Sequence, residues 1–528
     1  MKFLLYPIAM LLLYPFQIYS QKIRIDWGKE FKVGNTLSYN VPVGLIDNSF
    51  YTMRYDMKQD FMKVRKFAHL EKMDENLNGL EEKYLENNER MIEYEFFYQQ
   101  RGEIHVVSSE LDRKAKEKKI SVTVFDLSGN IKKGMTELFL FRFDNMKQDK
   151  ELKFKFSGDS SQLLIYQQIR SKKNDKAQIY YGVIGSEQHE LLSEAKYVLP
   201  YLSDKCKIKS ALVDREGNTY FFIEVEDEKS RGMKKWEVRI IPHLIILDKK
   251  ANLMLDKELE YNGLVLTNIS AGFNADNHVI ITALTLAQEK KKKELMGFFF
   301  CTLDPLKNEF ENVRELDFDL SFKKKFGNFT SGGLMFNKNF EYDITFIPDN
   351  ENGGGYFIAE NAYIKSDDKY LTIHKRELIV LKYNADKNVE WIQLIPKRQM
   401  ASIRMAQVGL GPVQVSGISK QYVKAKEKYL SYLAFLKDGA LYIMFNDHAK
   451  NMSVRNMSDV RIMEFVKNAK ATIVIINPED GRWRKRPLFT GKDIGVVFCP
   501  ESSWANDGNV IILAEKKSMN RYGRVIIE

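Results

Sequence analysis

Residues 438–445 read Asp438-Gly-Ala-Leu-Tyr-Ile-Met-Phe445, a turn dipeptide followed at once by an apolar run. An Asp-Gly pair favours the left-handed backbone conformations that two-residue hairpin turns require. The apolar run has no helical spacing, so the stretch predicts a tight turn that leads into a buried β-strand.

The same unit recurs along the chain at intervals of 54 to 85 residues. The eight turn cues, each followed by a short apolar strand, are Asp47-Asn48-Ser49, Arg101-Gly102, Gly158-Asp159-Ser160, Gly217-Asn218, Ala275-Asp276-Asn277, Gly353-Gly354-Gly355, Asp438-Gly439 and Asp507-Gly508-Asn509. Recurrence of one supersecondary unit through a chain indicates a repeat architecture.

A second landmark follows in most units, namely a strand that closes on an Asp, Asn or Gly turn. It occurs at residues 122–130, 244–252, 298–308, 378–388 and 473–481. Two hairpins supply four strands, which is the content of one propeller blade. We therefore predict an all-β fold, a single seven- or eight-bladed β-propeller over residues 21–528. Two or more tandem β domains are the alternative.

The two ends of the chain complement each other. The last unit stops at Glu528, one strand short of the earlier units, and the segment Ile23 to Trp27 resembles the outer-strand segment around Trp391. We predict that the N-terminal strand completes the last blade and closes the propeller, because closure removes exposed sheet edges.

Residues 70–92 interrupt the strand pattern. They are rich in Leu, Glu, Lys and Asn, with Leu77, Leu80, Tyr84 and Leu85 near one helical face. Because Leu, Glu and Lys favour helices and an apolar stripe favours packing, we expect a short helical insertion here.

The N-terminus has the pattern of a secretory leader. Lys2 precedes an apolar run from Phe3 to Phe16, and the small residue Ser20 lies at the expected cleavage point. We predict a signal peptide over residues 1–20 and export to the bacterial cell envelope, periplasm, cell surface or medium. No later run is apolar for 18 residues, so we expect no transmembrane segment after cleavage.

Composition favours a packed, folded chain. Hydrophobic residues make up 44% and aromatic residues 12%, which excludes intrinsic disorder. Three cysteines, Cys206, Cys301 and Cys499, are too few to hold a chain of 528 residues by disulfides, so we expect buried structural thiols.

The sequence contains no recognised catalytic or cofactor motif. Its seven histidines are scattered, it has no pair of cysteines at zinc-ligand spacing, and it has neither a phosphate-binding glycine loop nor a hydrolase nucleophile elbow. We therefore expect no catalytic set, metal or cofactor.

Polar side chains recur at equivalent positions about six to eight residues past each turn cue. The members of this polar ring are Arg54, Glu110, Gln167, Glu224, Glu360, Asn446 and Glu515. Equivalent positions cluster on one side of a propeller, so the polar ring is a candidate binding site. Two of its carboxylates could instead serve an enzyme as acid and base, and solvated strand ends are the third interpretation.

Positive charge concentrates in the connections between the two landmarks, which carry more than the whole net charge of +10. The densest spots include Lys291, Lys292, Arg484 and Lys485. This pattern predicts one basic side that attracts anions, although lysine-rich loops also protect strand edges. The expected partners are an envelope protein, an anionic glycan or an anionic lipid surface, and nucleic acid is not expected.

The repeated unit, with its Asp/Gly turns, aromatic strands and closing Trp, resembles β-propeller repeats of secreted bacterial proteins, many of unknown function. The resemblance implies a non-catalytic binding or scaffold protein of the cell envelope. The alternative is a carbohydrate-active propeller enzyme that uses paired carboxylates.

The leader predicts a specific mature N-terminus. Expression of the full chain in a gram-negative host should yield exported protein that begins at Gln21, because signal peptidase cleaves after the small residue Ser20. N-terminal sequencing of the periplasmic and extracellular fractions measures this. Recovery of Met1 at the start of exported protein would contradict the prediction.

Overall fold

The computed structural model describes residues 22–32, 39–60, 63–79, 81–85, 92–149, 151–169, 175–227, 240–273, 278–289, 292–304, 307, 309–325, 329–330, 333–334, 341–349, 352–366, 370–386, 388–404, 427–464, 468–489, 496–506, 508–516 and 519–528. The chain is an all-β, eight-bladed β-propeller, as predicted. It divides into two compact units. The first unit is Met1–Tyr84, Tyr363–Lys382 and Glu390–Glu528, and the second unit is Leu85–Ala362 and Tyr383–Val389.

The strands are numbered in chain order. β1 (Ile23–Trp27) and β2 (Phe31–Lys32) belong to the last blade. Blade 1 contains β3 (Tyr39–Ile46), β4 (Ser49–Asp60), β5 (Lys63–Met73) and β6 (Glu81–Tyr84). Blade 2 contains β7 (Ile92–Gln100), β8 (Glu103–Asp112), β9 (Glu117–Phe125) and β10 (Ile131–Arg142). Blade 3 contains β11 (Lys153–Phe156), β12 (Gln162–Ile169), β13 (Lys176–Gly185) and β14 (Leu191–Leu202).

Blade 4 contains β15 (Cys206–Val213), β16 (Thr219–Glu226), β17 (Ile240–Leu247) and β18 (Leu253–Glu258). Blade 5 contains β19 (Glu260–Tyr261), β20 (Leu264–Phe273), β21 (Val279–Glu289), β22 (Lys292–Asp304) and β23 (Glu309–Asp317). The helix α1 (Leu320–Lys324) and the hairpin of β24 (Phe329–Thr330) and β25 (Gly333–Leu334) follow.

Blade 6 contains β26 (Glu341–Asp349), β27 (Gly354–Ser366), β28 (Tyr370–Tyr383), β29 (Val389–Ile395) and β30 (Gln399–Arg404), the last of which also pairs with β28. Blade 7 contains β31 (Leu433–Lys437), β32 (Ala440–His448), β33 (Ala469–Ile476) and β34 (Trp483–Pro487). Blade 8 contains β35 (Val497–Asn506), β36 (Asn509–Lys516) and β37 (Met519–Ile527), and β1 is its outer strand. Short 3₁₀ turns span Met146–Gln148, Ala449–Asn451 and Met457–Asp459. None of the described helices is long and apolar enough to cross a membrane.

The predicted turn cues that the structure describes join the first and second long strands of their blades, whereas Ala275-Asp276-Asn277 and Asp507 lie outside the described residues. At Asp47-Asn48, Arg101-Gly102 and Asp438-Gly439 both turn residues have positive φ, between 47° and 72°. This is the geometry of a type I′ hairpin turn, whose twist matches that of the flanking strands. The sequence signal and the backbone conformation therefore agree.

The second landmark is an Asx turn between later strands of a blade. Asp126 Oδ1 accepts from the backbone N–H groups of Ser128 and Asn130, each at 2.9 Å. Asp248 makes the same pair of bonds to Lys250 and Asn252 at 2.8 Å. The aspartate replaces missing ladder bonds at the chain reversal, which explains why this pattern recurs.

The cores of each unit lie between neighbouring blades. In the second unit, apolar clusters fill the spaces between blades 2 and 3, 3 and 4, and 4 and 5. In the first unit they fill the spaces between blades 7 and 8 and between blades 8 and 1. The three cysteines are free and buried in such apolar surroundings, as expected.

Side-chain amides join the first strand of a blade to the blade before it. Gln168 donates to the Cys206 carbonyl at 2.9 Å and accepts from the Ile208 N–H at 3.0 Å. Asn446 bonds the N–H and the carbonyl of Phe498 at 3.1 Å and 2.6 Å. The other amides of this type are Gln399, bound to the backbone of Ser431, and Asn268, bound to the N–H of Tyr342. We call these four residues the amide clamps.

Residues 70–92 correct the sequence prediction. Instead of a helix, the described part forms the end of β5, a turn at residues 74–79, β6 and the first residue of β7. Leu77 and Leu85 are buried in this arrangement. The reason is that Asp74 accepts the N–H groups of Asn76 and Asn78, so the local Asx turn outcompetes helix propensity.

The N-terminal strand closes blade 8, as predicted. β1 pairs antiparallel with β37 from Ile23 opposite Ile527 to Trp27 opposite Gly523. The half-buried side chains of Ile23, Ile25 and Trp27 pack on the core between blades 7 and 8. A Cβ at Gly523 would lie 2.6 Å from both Ile25 and Trp27, so glycine permits this close approach.

Two histidines meet inside the second unit. His105 Nδ1 lies 2.8 Å from His189 Nε2, and both residues are buried between blades 2 and 3. Burial lowers the pKa of both rings, that of His189 to about 4. The Glu103 carboxylate, 3.9 Å from His105, partly opposes the shift of the His105 ring, and Lys133 reinforces it. Among the described residues, no three His, Cys, Asp or Glu side chains form a metal-ligand set.

Removing β1 should destabilise the protein. Deletion of residues 22–27 removes three half-buried apolar side chains, which corresponds to about 3 kcal/mol of unfolding free energy. Thermal unfolding measures the loss. Arg24→Ser, on the exposed side of the same strand, should leave the melting temperature nearly unchanged because its ion pairs are at the surface. An unaltered melting temperature for the deletion would refute closure by β1.

The histidine pair should make stability depend on pH. Because the folded-state pKa values lie below the unfolded value, the stabilisation is present above about pH 6.5 and is lost as pH falls towards 4. Between pH 7 and pH 5 we expect a loss on the order of 1 kcal/mol, allowing for partial solvent screening. Urea unfolding of wild type and His189→Asn at both pH values tests this. Equal losses in the two proteins would show that the pair is not the cause.

Candidate functional site

A pocket in the second unit is lined by the first long strands of four consecutive blades, β11, β15, β20 and β26. Its volume is about 360 Å³, which falls in the range of small-molecule sites. Four lysines line it, namely Lys153, Lys155, Lys207 and Lys209. We call it the four-lysine pocket.

Strand alternation explains why the lysines point into the pocket. On β11, Lys153 and Lys155 alternate with Phe154 and Phe156, which pack on the core between blades 2 and 3. On β15, Lys207 and Lys209 flank Ile208, which is buried in the core between blades 3 and 4. Since successive side chains face opposite sides of a strand, the pleat that buries the apolar residues presents the ammonium groups.

Two amide clamps fix the walls of the pocket. Gln168 binds the carbonyl of Cys206 and the N–H of Ile208, the residues on either side of Lys207. Asn268 lines the pocket itself and accepts from the N–H of Tyr342, next to Asp343. The backbone that carries a pocket lysine and the backbone that carries the pocket carboxylate are therefore both held by side-chain hydrogen bonds.

The pocket is electrostatically positive. Burial lowers the pKa of Lys153, and burial alone lowers that of Lys155. The charge of Glu151 opposes the shift of Lys153, whereas the neighbouring lysines Lys207, Lys209 and Lys155 reinforce it. Both lysines nevertheless remain accessible to solvent through the open pocket. Like charges that share a site disfavour each other's protonated form, so an anion placed between them relieves the repulsion.

Two carboxylates accompany the four lysines. Glu224 on β16 lies with its carboxylate oxygen 3.6 Å from Lys209 Nζ. Asp343 lines the pocket from β26 and is exposed. Positive groups thus exceed negative ones in the part of the pocket that the structure describes.

Members of the polar ring lie on the second long strands of their blades, but their environments differ. In the second unit, Glu110 pairs at the surface with Lys119 at 3.0 Å, Gln167 and Glu360 are buried, and Glu224 contacts a pocket lysine. Of these four residues, Glu224 is thus in contact with a lysine that lines the pocket.

In the first unit the side chains at the ring positions have intramolecular partners. Asn446 is fully buried as an amide clamp, and Glu515 pairs with Lys428 at 2.7 Å. Arg54 is buried and bonds Glu71 at 2.6 Å and Glu82 at 2.7 Å. A strand-end position seen in sequence does not reveal that the neighbouring strands supply such partners.

The cluster around Arg54 is a buried polar network of blade 1. Glu71 also accepts from Asn40 at 2.7 Å and from Thr52 at 2.9 Å. Burial raises the pKa of Glu71 to about 7, although Arg54 opposes the shift. Removal of Arg54 would leave a buried carboxylate without its cation, a strongly destabilising change.

The predicted basic side is corrected at blade 7. Arg484 and Lys485, expected on the basic side, lie on the outer strand β34. The Lys485 side chain is fully buried, with its ammonium 2.8 Å from Asp447 and 2.6 Å from the Pro396 carbonyl. Lys291 and the side chain of Lys292 lie outside the described residues.

Sequence reasoning missed the four lysines because it searched the connections for runs of charge. The available signal was the alternation Lys153-Phe-Lys155-Phe and Lys207-Ile-Lys209 at the starts of two first strands. Alternation of period two marks a strand with one apolar face, and a lysine face at equivalent positions of adjacent repeats marks a shared surface.

Comparisons with known proteins identify no family for this chain. No protein-family model and no curated protein matches the chain. The β-propeller domain of the Trilobed protease from Pyrococcus furiosus is 7% identical, with a TM-score of 0.34 over 89% of this chain and 97% of that chain. The polysaccharide lyase Uly1 is 7% identical, with a TM-score of 0.35 over 82% and 89% of the two chains. An α-L-arabinanase from Penicillium chrysogenum is 8% identical, with a TM-score of 0.33 over 63% and 94%. These similarities concern the propeller fold, and they carry no argument about ligand or activity.

Proposed function

We propose that this protein is an exported, non-catalytic binding propeller that captures an anionic ligand in the four-lysine pocket. The observation that carries the proposal is the convergence of Lys153, Lys155, Lys207 and Lys209 from two neighbouring blades on one pocket. Export rests on the leader pattern of residues 1–20 and remains part of the proposal.

The cost of assembling these lysines supports an anionic ligand. Desolvation, reinforced by repulsion from the neighbouring lysines, lowers the pKa of Lys153, so the charged form of this lysine is disfavoured in the free pocket. An anion in the pocket offsets this repulsion and gains charge-assisted hydrogen bonds. A ligand that binds this way is held best when all four ammonium groups are protonated.

The shape of the pocket favours a soluble anionic group over a membrane surface. The lysines lie on first strands, with buried apolar residues between them, and they line a concavity rather than a protruding loop. A concave site encloses a ligand group, whereas a flat lipid surface contacts exposed, convex basic residues.

The partners of two carboxylates of the polar ring support binding rather than catalysis. Acid/base cleavage of a glycoside uses two carboxyl groups placed on either side of the scissile bond. Glu224 is paired with Lys209, and Glu110 is paired with Lys119. Product analysis of each binding mixture distinguishes the carbohydrate-active alternative.

Loss of two pocket lysines should weaken anion binding. Wild type, Lys153→Gln/Lys207→Gln and the control Lys249→Gln/Lys250→Gln, whose lysines are exposed in the β17–β18 turn, are titrated calorimetrically with inorganic phosphate and with trigalacturonate. We expect the pocket variant to bind both probes about tenfold more weakly, equivalent to about 1.4 kcal/mol, and the control to resemble wild type. Raising the salt from about 20 to about 300 mM should weaken wild-type binding.

Three results would overturn the proposal. The first is that wild type binds neither probe. The second is that the control, which carries the same change in net charge, loses as much affinity as the pocket variant. Release of shortened sugar products by wild type would replace the binding function by an enzymatic one.

A further inference from the structure

We infer that the four-lysine pocket receives an acidic sugar, with the sugar carboxylate against the lysines and its hydroxyl groups against Asp343 and Ser210. The inference rests on the proposed function and deepens it by naming the class of ligand. Three features of the pocket support the inference, and a site for a simple oxyanion needs none of them.

The first feature is an exposed carboxylate inside a cationic pocket. Asp343 lines the pocket from β26, whereas the lysines come from β11 and β15. An ionised carboxylate accepts hydrogen bonds but repels an anion. Its presence in the wall therefore suits a ligand that carries hydrogen-bond donors as well as negative charge, and sugar hydroxyl groups are such donors.

The second feature is the spacing of the lysines. Lys153 and Lys155 are two residues apart on one strand, as are Lys207 and Lys209 on the next first strand. Side chains two residues apart in a strand lie roughly 6.6 Å from each other along its axis. Two such rows suit an extended ligand with separated anionic groups, as in a short uronate chain, better than a single compact ion.

The third feature is backbone irregularity on both sides of the pocket. β15 has a register shift between Ile208 and Ser210, and β20 has one between Thr267 and Ser270. Asn268, within the second shift, has a φ of 52°. Bulges re-aim side chains, and Lys209 at the first shift and Asn268 at the second both line the pocket.

Together these features place charge and hydroxyl recognition in one pocket. The lysines attract the carboxylate, while Ser210 can donate or accept and Asp343 can accept from hydroxyl groups. The volume of about 360 Å³ admits a short portion of such a chain and not a folded macromolecule.

Asp343→Ala should change the affinities for phosphate and for trigalacturonate in opposite directions. The variant removes a negative charge from the pocket, so inorganic phosphate should bind several-fold more tightly. Trigalacturonate should bind about tenfold more weakly if its hydroxyl groups bond Asp343, because lost hydrogen bonds outweigh the relieved repulsion. Calorimetric titration of the full mature chain measures both affinities. Glu190→Ala, an exposed acidic residue before β14, is the matched control and should change neither.

The outcomes separate this inference from the proposed function. If Asp343→Ala strengthens the binding of both probes, the pocket binds anions and the acidic-sugar assignment is wrong. If wild type binds phosphate but not trigalacturonate, the assignment is also wrong. If the lysine variant leaves all binding unchanged, the proposed function itself has failed. Opposite changes for the two probes support the inference.

Discussion

Backbone groups along the free edge of a blade's first strand have no neighbouring strand to bond, and in four blades of the described chain a side-chain amide supplies the bond. Gln168, Asn268 and Asn446 each present an amide to the backbone of the next blade's first strand, and Gln399 presents one to Ser431, two residues before that strand. A buried backbone group left unpaired costs as much as a lost hydrogen bond. The amide clamps thus satisfy these edges and set how consecutive blades meet within each unit.

The candidate site inherits its geometry from these clamps. Lys207 lies between the two backbone groups that Gln168 holds, and Asp343 follows the residue that Asn268 holds. Neither charged residue depends on a loop for its position. The pocket is therefore built on strands whose opposite faces are anchored in the apolar cores between blades, which favours a preorganised site.

The fold could be predicted from sequence because its signals are local. Turn dipeptides such as Asp438-Gly439 impose a backbone conformation on two residues, and the apolar runs after them have the period of strands. The site could not be predicted to the same degree because charge pairing is not local. Lys485 looks like a surface cation in the sequence, yet its partner Asp447 is on another strand, and Arg54 meets Glu71 in the same way. At residues 70–92, helix propensity was misleading because the Asx turn at Asp74 competes locally with the helix.

Closure of blade 8 also sets an order of events during synthesis. β1 is synthesised before its partner β37, and the other described strands lie between them in the chain. During elongation the alternating segment Ile23-Arg-Ile-Asp-Trp27 has no strand to pair with, and the pairing of greatest sequence separation forms last. Blades 2 to 5, whose strands pair only with near neighbours in sequence, can be complete by then. Blade 8 therefore stays incomplete until β37 has been made, and a chain truncated before β37 leaves β1 without this partner.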